Sequence, residues 1–210
     1  MTASLSSQIP VVYVVDDDAS VRESLSSLIR SAGMAVEVFA SPFDFLAKKN
    51  LSELSCVVLD VRMPGLDGLA LQEKIVALGG EIPIIFITGH GDVPLAVRAM
   101  KAGAIDFLNK PFKDTDLLEA IAVALVRVSA TVNERSSLTS LRQRFETLTA
   151  REKQIMFAVA EGKQNKAIAY DLCVTESTVK VHKHNVMLKM NIRSVAELTL
   201  AIQRLKHISK

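Results

Sequence analysis

Tryptophan is absent from this 210-residue chain, and all aromatics together make up 5% of it. Single-stranded RNA is read largely by stacking bases on aromatic rings, so this composition disfavours an RNA reader. Cys56 and Cys173 are the only cysteines. Two lone cysteines do not make a disulfide framework, and both read as reduced residues in or near a core. The N-terminal MTASLSSQIP has no basic segment ahead of an apolar one, so no secretory signal is expected. The longest apolar runs, such as Ile82 to Ile87, fall far short of the ~20 residues that cross a bilayer. These absences together imply a cytoplasmic protein with no membrane partner. No internal repeat or low-complexity segment is present.

What is present divides by charge. Residues 1–125 carry 10 Lys/Arg against 16 Asp/Glu, and residues 126–210 carry 15 against 7. A net charge of +2 therefore conceals an acidic half of −6 and a basic half of +8. Halves of opposite sign point to two domains with different partners, the basic one suited to nucleic acid.

The acidic half alternates β-branched runs with helical periodicity. Val11 to Val15 reads as a strand stopping at Asp16-Asp17-Asp18. Val21, Leu25, Leu28 and Ile29 define a helix ended by Gly33. Val36 to Phe39 is a second strand, and Ser41-Pro42 opens a short helix. A third strand delivers Asp60, after which Pro64, Gly65 and Gly68 forbid a simple continuation. Asp67 to Leu78 reads as a helix, Ile82 to Ile87 as a strand, Val93 to Lys101 as a helix, Ile105 to Leu108 as a strand, and Thr115 to about Val128 as a helix. Five strands alternating with five helices predict an α/β doubly wound, five-stranded parallel sheet. Asp16, Asp17, Asp60, Thr88 and Lys110 then all fall at C-terminal strand ends, where such sheets bind ligands. Clustered carboxylates with only oxygen donors favour Mg²⁺. In this arrangement Asp60 is the expected phosphoryl acceptor. Lys110 acts as a point charge on one phosphoryl oxygen and the Thr88 hydroxyl donates to another.

In order and spacing, VVDDD, LDVRMPGLDG, ITGHGD and FLNKPF resemble the receiver domain of bacterial response regulators, across residues 10–128. The resemblance implies a flavodoxin-like fold, with Asp60 as phosphoacceptor and Asp16 and Asp17 as the acidic pair. It implies Mg²⁺ held by Asp17, Asp60 and the backbone carbonyl of Arg62. It also assigns Thr88, Phe107 and Lys110 as switch hydroxyl, switch aromatic and essential lysine, with Lys110-Pro111 usually a cis peptide. Asp18 receives no role from it. Arg62 and His90 are expected to flank the phosphoryl site and set how long the phosphate survives. Phosphorylation is expected to change the surface around 93–101 and 105–108, with Val97, Met100 and Lys101 as candidate dimer contacts.

Residues 129–148 contain neither Pro nor Gly and keep near-helical apolar spacing. They read as a helical linker with a candidate break near Ser136-Ser137. From 149 to 210 the pattern is an all-α four-helix domain. Thr149-Ala150-Arg151-Glu152 is a capping box. A second helix covers Asn165 to Leu172, and Thr175 caps a third that runs to about Met190. Arg193 to Leu205 supplies the fourth. Two helices around a tight turn, the second of them basic, form a helix-turn-helix. On the third helix Val179, His182, Val186 and Met190 should face inward, with Glu176, Lys180, Val181 and His184 outward. Lys180, Val181 and His184 suit base edges in a major groove, while Lys183, Lys166, Asn165 and Thr178 suit phosphates.

The segments LTAREKQIM, AEGKQNKAIA, TESTVKVHKHNVMLKM and RSVAEL resemble the LuxR-type DNA-binding domain. Cys173 stands where that family usually has glycine, leaving either a tighter turn or an adjusted φ. Together the halves resemble the FixJ/NarL family of two-component regulators, the receiver being FixJ-like in particular. The domains expected are a receiver at 1–128, the linker at 129–148 and the DNA-binding domain at 149–210. The expected protein is a non-enzymatic transcription factor that receives a phosphoryl group from a cognate sensor histidine kinase. It then forms a homodimer and acts on double-stranded promoter DNA and RNA polymerase. Two alternatives stand beside it: a DNA-binding regulator controlled without phosphate, for example by redox at Cys56 or Cys173, and an aspartyl-nucleophile phosphatase.

Overall fold

The computed structural model describes residues 9–89 and 93–208. The chain divides into two compact units, residues 1–133 and 134–210. In the first, β1 (Val11–Val15), β2 (Ala35–Phe39), β3 (Ser55–Asp60), β4 (Ile84–Thr88) and β5 (Asp106–Asn109) form one sheet in the order β2-β1-β3-β4-β5. Every pairing is parallel. Strand alternation sends Tyr13, Val15, Val57, Leu59 and Phe86 into one apolar layer with Phe45, Leu71 and Ile75. Val12, Val14, Cys56, Val58, Ile85 and Ile87 enter the opposite layer with Leu25, Ile29, Leu117 and Ile121. Thus α2 (Pro42–Ala47) and α3 (Gly68–Ala77) cover one face, while α1 (Ala19–Ser31) and the start of α5 (Asp114–Glu146) cover the other. The predicted doubly wound sheet is the observed one.

The strand ends differ from expectation by a residue or two. β4 begins at Ile84 because Pro83 has no N–H for a ladder; its carbonyl instead accepts from Val57 N at 2.8 Å. β4 and β5 each extend one residue further, through Thr88 and Asn109. α4 covers Val93–Lys101 as expected.

The larger departure is α5. It is one helix of 33 residues with no interruption at Ser136-Ser137. Nothing between Asp114 and Glu146 lacks an N–H or needs a positive φ, so no residue ends it. Its last turns are not spacer alone: Leu141 lies in the core of the second unit and Phe145 packs against that core.

The second unit adds α6 (Ala150–Ala160), α7 (Asn165–Asp171), α8 (Glu176–Met190) and α9 (Val195–Ile208). Ile155, Met156, Ile168, Val179, Val186, Met190, Leu198 and Ile202 fill its centre. The capping box at Thr149 and Glu152 is complete. Glu152 is 3% exposed, and its carboxylate accepts from Thr149 N at 2.8 Å and from Lys189 Nζ at 2.7 Å. The Lys189 ammonium and the Thr149 N–H hold the Glu152 carboxyl below its ordinary value of 4.5.

The turn between α7 and α8 settles the fate of Cys173. Val174 N bonds to Ala169 O and Cys173 N to Tyr170 O, a Schellman ending, with Cys173 at φ 51. The chain keeps the left-handed turn and places a non-glycine residue in it. Cys173 is exposed rather than near a core, because a residue at that helix end points into solvent.

Two tests follow from the second unit. A left-handed residue with a Cβ costs ~1–2 kcal/mol, and added glycine freedom in the unfolded chain returns ~0.4–1 kcal/mol of that. Cys173→Gly should therefore raise stability by about 0.5–1 kcal/mol in urea unfolding followed by circular dichroism. A lowered midpoint would show that the turn carries no such strain. For Glu152 the depressed value means stability present above pH 4.5 and lost as pH falls through the folded value. Amide protection across α8, measured by hydrogen exchange, should fall less on acidification in Glu152→Gln, which keeps the cap but not the charge. Superimposable pH profiles would rule the linkage out.

Candidate functional site

The strand order reverses between β1 and β3, which opens a crevice beyond their C-terminal ends. Asp16 follows β1 directly and Asp60 ends β3. Both are buried, at 1% and 6% exposure. Lys110, just past β5, reaches between them: its Nζ donates to Asp16 Oδ2 at 2.8 Å and to Asp60 Oδ1 at 2.9 Å. The Lys110 N–H donates to the Thr88 carbonyl at 2.7 Å, which ties the end of β5 to that of β4. Lys110-Pro111 is cis. Thr88 itself is buried.

The remaining carboxylate oxygens are held by backbone. Asp60 Oδ2 accepts from Arg62 N at 2.7 Å, and Asp16 Oδ1 accepts from Asp18 N at 2.8 Å. Burial pushes the Asp60 carboxyl above its ordinary value, with Lys110 pulling it back and Asp16 adding to the rise. For Lys110 burial works against the charge, but the bonds to Asp16 and Asp60 outweigh it and raise its value.

Asp17 is exposed, and so is the Arg62 residue. Phe107 is half-buried, its ring 6.2 Å from that of Phe86. Val97, Met100 and Lys101 lie exposed on α4. His90 lies outside the described residues. The structure thus brings Asp16, Asp60, Lys110 and the Thr88 backbone together by hydrogen bonds, and leaves Asp17 beside them in sequence.

Among the described residues no three His, Cys, Asp or Glu side chains gather as a metal cluster. Mg²⁺ needs no such cluster, since it binds through one or two carboxylates and keeps several waters. The donors fit it: the Asp16 and Asp60 carboxylates share Lys110, and each of their oxygens holds one hydrogen bond with lone-pair capacity to spare. Asp17, Asp60 and the Arg62 carbonyl are the hard oxygen donors that would hold a divalent cation.

Asp18 receives no role from the resemblance, and the sequence marks Gly68 only as one of the residues that stop the third strand. Asp18 caps α1, accepting from Ser20 N at 2.8 Å, as an Asp before a helical pattern signals. Gly68 is required sterically: a Cβ there would collide with the Asp60 carbonyl oxygen and come within 3.1 Å of Val61 Cα.

In the second unit, Val179, Val186 and Met190 of α8 are buried, and His182 is half-buried. Glu176, Lys180, Val181 and His184 are exposed, as expected, with Val181 at 59%. Lys166 is exposed, while Asn165, Lys183 and Thr178 are half-buried. Thr175 caps α8 and shares a 2.8 Å hydroxyl contact with Thr178.

A buried carboxylate–lysine pocket on a parallel sheet, joined to a basic helix-turn-helix, has the build of a regulator with a receiver and a DNA-binding output. Family models agree by region. The response regulator receiver domain matches residues 12–122, and the bacterial regulatory proteins of the luxR family match residues 146–202. The chain is 46% identical over 202 residues to the response regulator protein TodT of Pseudomonas putida, covering 96% of this chain and 89% of that one. It is 44% identical over 187 residues to the transcriptional regulatory protein FixJ of Rhizobium meliloti, covering 89% and 92%. Among solved structures, the response regulator StyR shares 48% identity at a TM-score of 0.83, covering 94% of this chain and all of that one. Full-length FixJ from B. japonicum shares 42% at 0.58, covering 94% and 98%. The chain belongs to the FixJ/NarL-type response regulators with a LuxR-type helix-turn-helix.

Overpacking against backbone costs ~1–3 kcal/mol. Gly68→Ala should lower receiver stability by about that amount in thermal unfolding. A variant as stable as the wild type would show that the loop after Asp60 yields freely.

Proposed function

We propose that this protein is a phosphorylation-activated, DNA-binding transcriptional regulator. Its receiver would accept a phosphoryl group on Asp60 from a sensor histidine kinase. The observation that carries this reading is the Lys110 ammonium held between two buried carboxylates at the sheet's reversal point. An Asp60 oxygen forms the new bond to phosphorus as the bond to the kinase's phosphohistidine nitrogen breaks. Lys110 then follows a phosphoryl oxygen, and the Thr88 hydroxyl donates to another. Mg²⁺ at Asp17, Asp60 and the Arg62 carbonyl supplies positive charge that offsets the carboxylates and the incoming phosphoryl oxygens.

The phosphorylated side chain carries about −1.5 to −2 charge where the Asp60 carboxylate carried −1. Re-partitioning Lys110 and Thr88 shifts the ends of β4 and β5, and Phe107 responds beside them. The exposed Val97, Met100 and Lys101 of α4 then form a homodimer contact. Paired α8 helices present Lys180, Val181 and His184 to base edges, with Lys183, Lys166, Asn165 and Thr178 on phosphates. The DNA-bound dimer recruits RNA polymerase. Control by Cys56 draws no support, since burial pushes its thiol to about 12 and keeps it protonated.

The deciding comparison is DNA affinity at fixed salt for wild type and Asp60→Asn, with and without Mg²⁺ and a small acyl-phosphate donor. The donor should tighten wild type about ten-fold, ~1.4 kcal/mol, and leave the variant unmoved. Equal affinity under every condition would overturn phosphate control.

A further inference from the structure

The pocket contains one charged side chain that the preceding reading does not use. Arg22, half-buried in the first turns of α1, donates from Nη1 to the Asp16 carbonyl oxygen at 2.7 Å. That carbonyl belongs to the peptide joining Asp16 to Asp17. With it, every polar atom of Asp16 is committed. Its N–H donates to Phe39 O at 3.2 Å, its Oδ1 accepts from Asp18 N, and its Oδ2 accepts from Lys110.

The orientation of a peptide plane sets where the next Cα and its side chain lie, because the plane is rigid. Asp16 is fixed on the strand side by the sheet. Asp17, one residue on, is exposed, and among the described residues no side-chain hydrogen bond or ion pair is seen to involve it. The peptide plane before Asp17 therefore fixes where its Cα, and the root of its side chain, stands, and among the described residues the side chain that bonds to that peptide is Arg22. α1 is itself anchored by Asp18, which accepts from Ser20 N and Val21 N, so the Arg22 stem rises from a fixed helix start.

We infer that Arg22 is a positioning residue for the acidic pair: by fixing the Asp16–Asp17 peptide it preorganises Asp17 as a divalent-cation ligand. The inference rests on the reading that Asp17 and Asp60 hold Mg²⁺.

Electrostatics and positioning predict opposite signs here, which makes the inference decidable. A guanidinium near a cation site repels the cation, so removing it should by charge alone tighten Mg²⁺. If Arg22 acts by positioning, removing it should weaken Mg²⁺, as loss of a partner that orients a ligand commonly does, by about ten-fold or more. Arg22→Met removes both charge and donor. Arg22→Gln removes the charge but keeps an N–H donor.

The measurement is the Mg²⁺ concentration that half-saturates the rise in receiver melting temperature, without any phosphodonor, for wild type, Arg22→Met, Arg22→Gln and Asp17→Asn. Phosphorylation rate against Mg²⁺ serves as a second readout. The inference expects a half-saturation about ten-fold higher in Arg22→Met, a higher value also in Arg22→Gln, whose amide sits two bonds short of the guanidinium, and no saturable effect in Asp17→Asn. Unchanged or tighter Mg²⁺ binding in both Arg22 variants would overturn it. If Arg22→Met fails to fold, Arg22→Gln decides alone: weaker Mg²⁺ binding than wild type supports positioning, and unchanged or tighter binding overturns it. A wild type whose melting temperature ignores Mg²⁺ would sink the metal reading itself, and this inference with it.

Discussion

Two buried carboxylates at adjoining strand ends, with one ammonium between them, set the terms for the receiver unit. Asp16 and Asp60 are nearly withdrawn from water, and burial pushes the Asp60 carboxyl above its ordinary value. Lys110 meets both within 2.9 Å. Breaking such a buried pair from one side costs ~3–5 kcal/mol, because the stranded charge remains. The pocket therefore cannot relax into a neutral surface. It stays poised, with more acceptors than donors around Lys110. A phosphoryl group entering such a pocket has to rearrange the partners already present, which is what a two-state device requires.

The sheet makes this poise possible. Parallel strands buried on both faces bring their C-terminal ends to one rim, and the order β2-β1-β3-β4-β5 puts the reversal between the strands that carry Asp16 and Asp60. Each loop leaving that rim is tied close. Asp18 turns the chain into α1, Gly68 lets α3 start against the Asp60 carbonyl, and the Lys110 N–H clasps the Thr88 carbonyl. That last bond also links the pocket to its exit. A shift of Lys110 toward a new anion pulls on the ends of β4 and β5 together, and α4 follows β4 in the chain.

How much of this the sequence carried depends on whether local chemistry alone decides an element. Val11–Val15 and Ser55–Asp60 are β-branched or apolar runs ended by carboxylates, so both strands and their acidic ends were legible. The beginning of β4 was misplaced because apolar Ile82 and Pro83 look like strand while proline cannot join the ladder. The uninterrupted α5 was harder. Ser136-Ser137 weakens a helix locally, but packing of Leu141 and Phe145 in the second unit helps hold the last turns. Cys173 was recognised as anomalous, yet its φ could only be read from the backbone. Arg22 was invisible for a different reason: it bonds to a carbonyl oxygen, and every residue has one.

The second unit solves a related problem for a reading helix. A groove-facing side chain is useful only if its helix does not rock, and α8 is pinned at both ends by different means. At its start Thr175 caps the first turn. Near its end Lys189 reaches the buried carboxylate of Glu152, which simultaneously closes the capping box of α6. Lys180, Val181 and His184 lie between these fixed points. An apolar side chain as exposed as Val181 gains nothing from solvent, whereas charged neighbours do. On the proposed DNA-binding reading, this surface would become buried when the helix is seated, with Lys180 drawing the helix in and the valine contributing where water leaves. The same division holds in the receiver, where ionic partners set the resting state and apolar Val97 and Met100 wait exposed on α4.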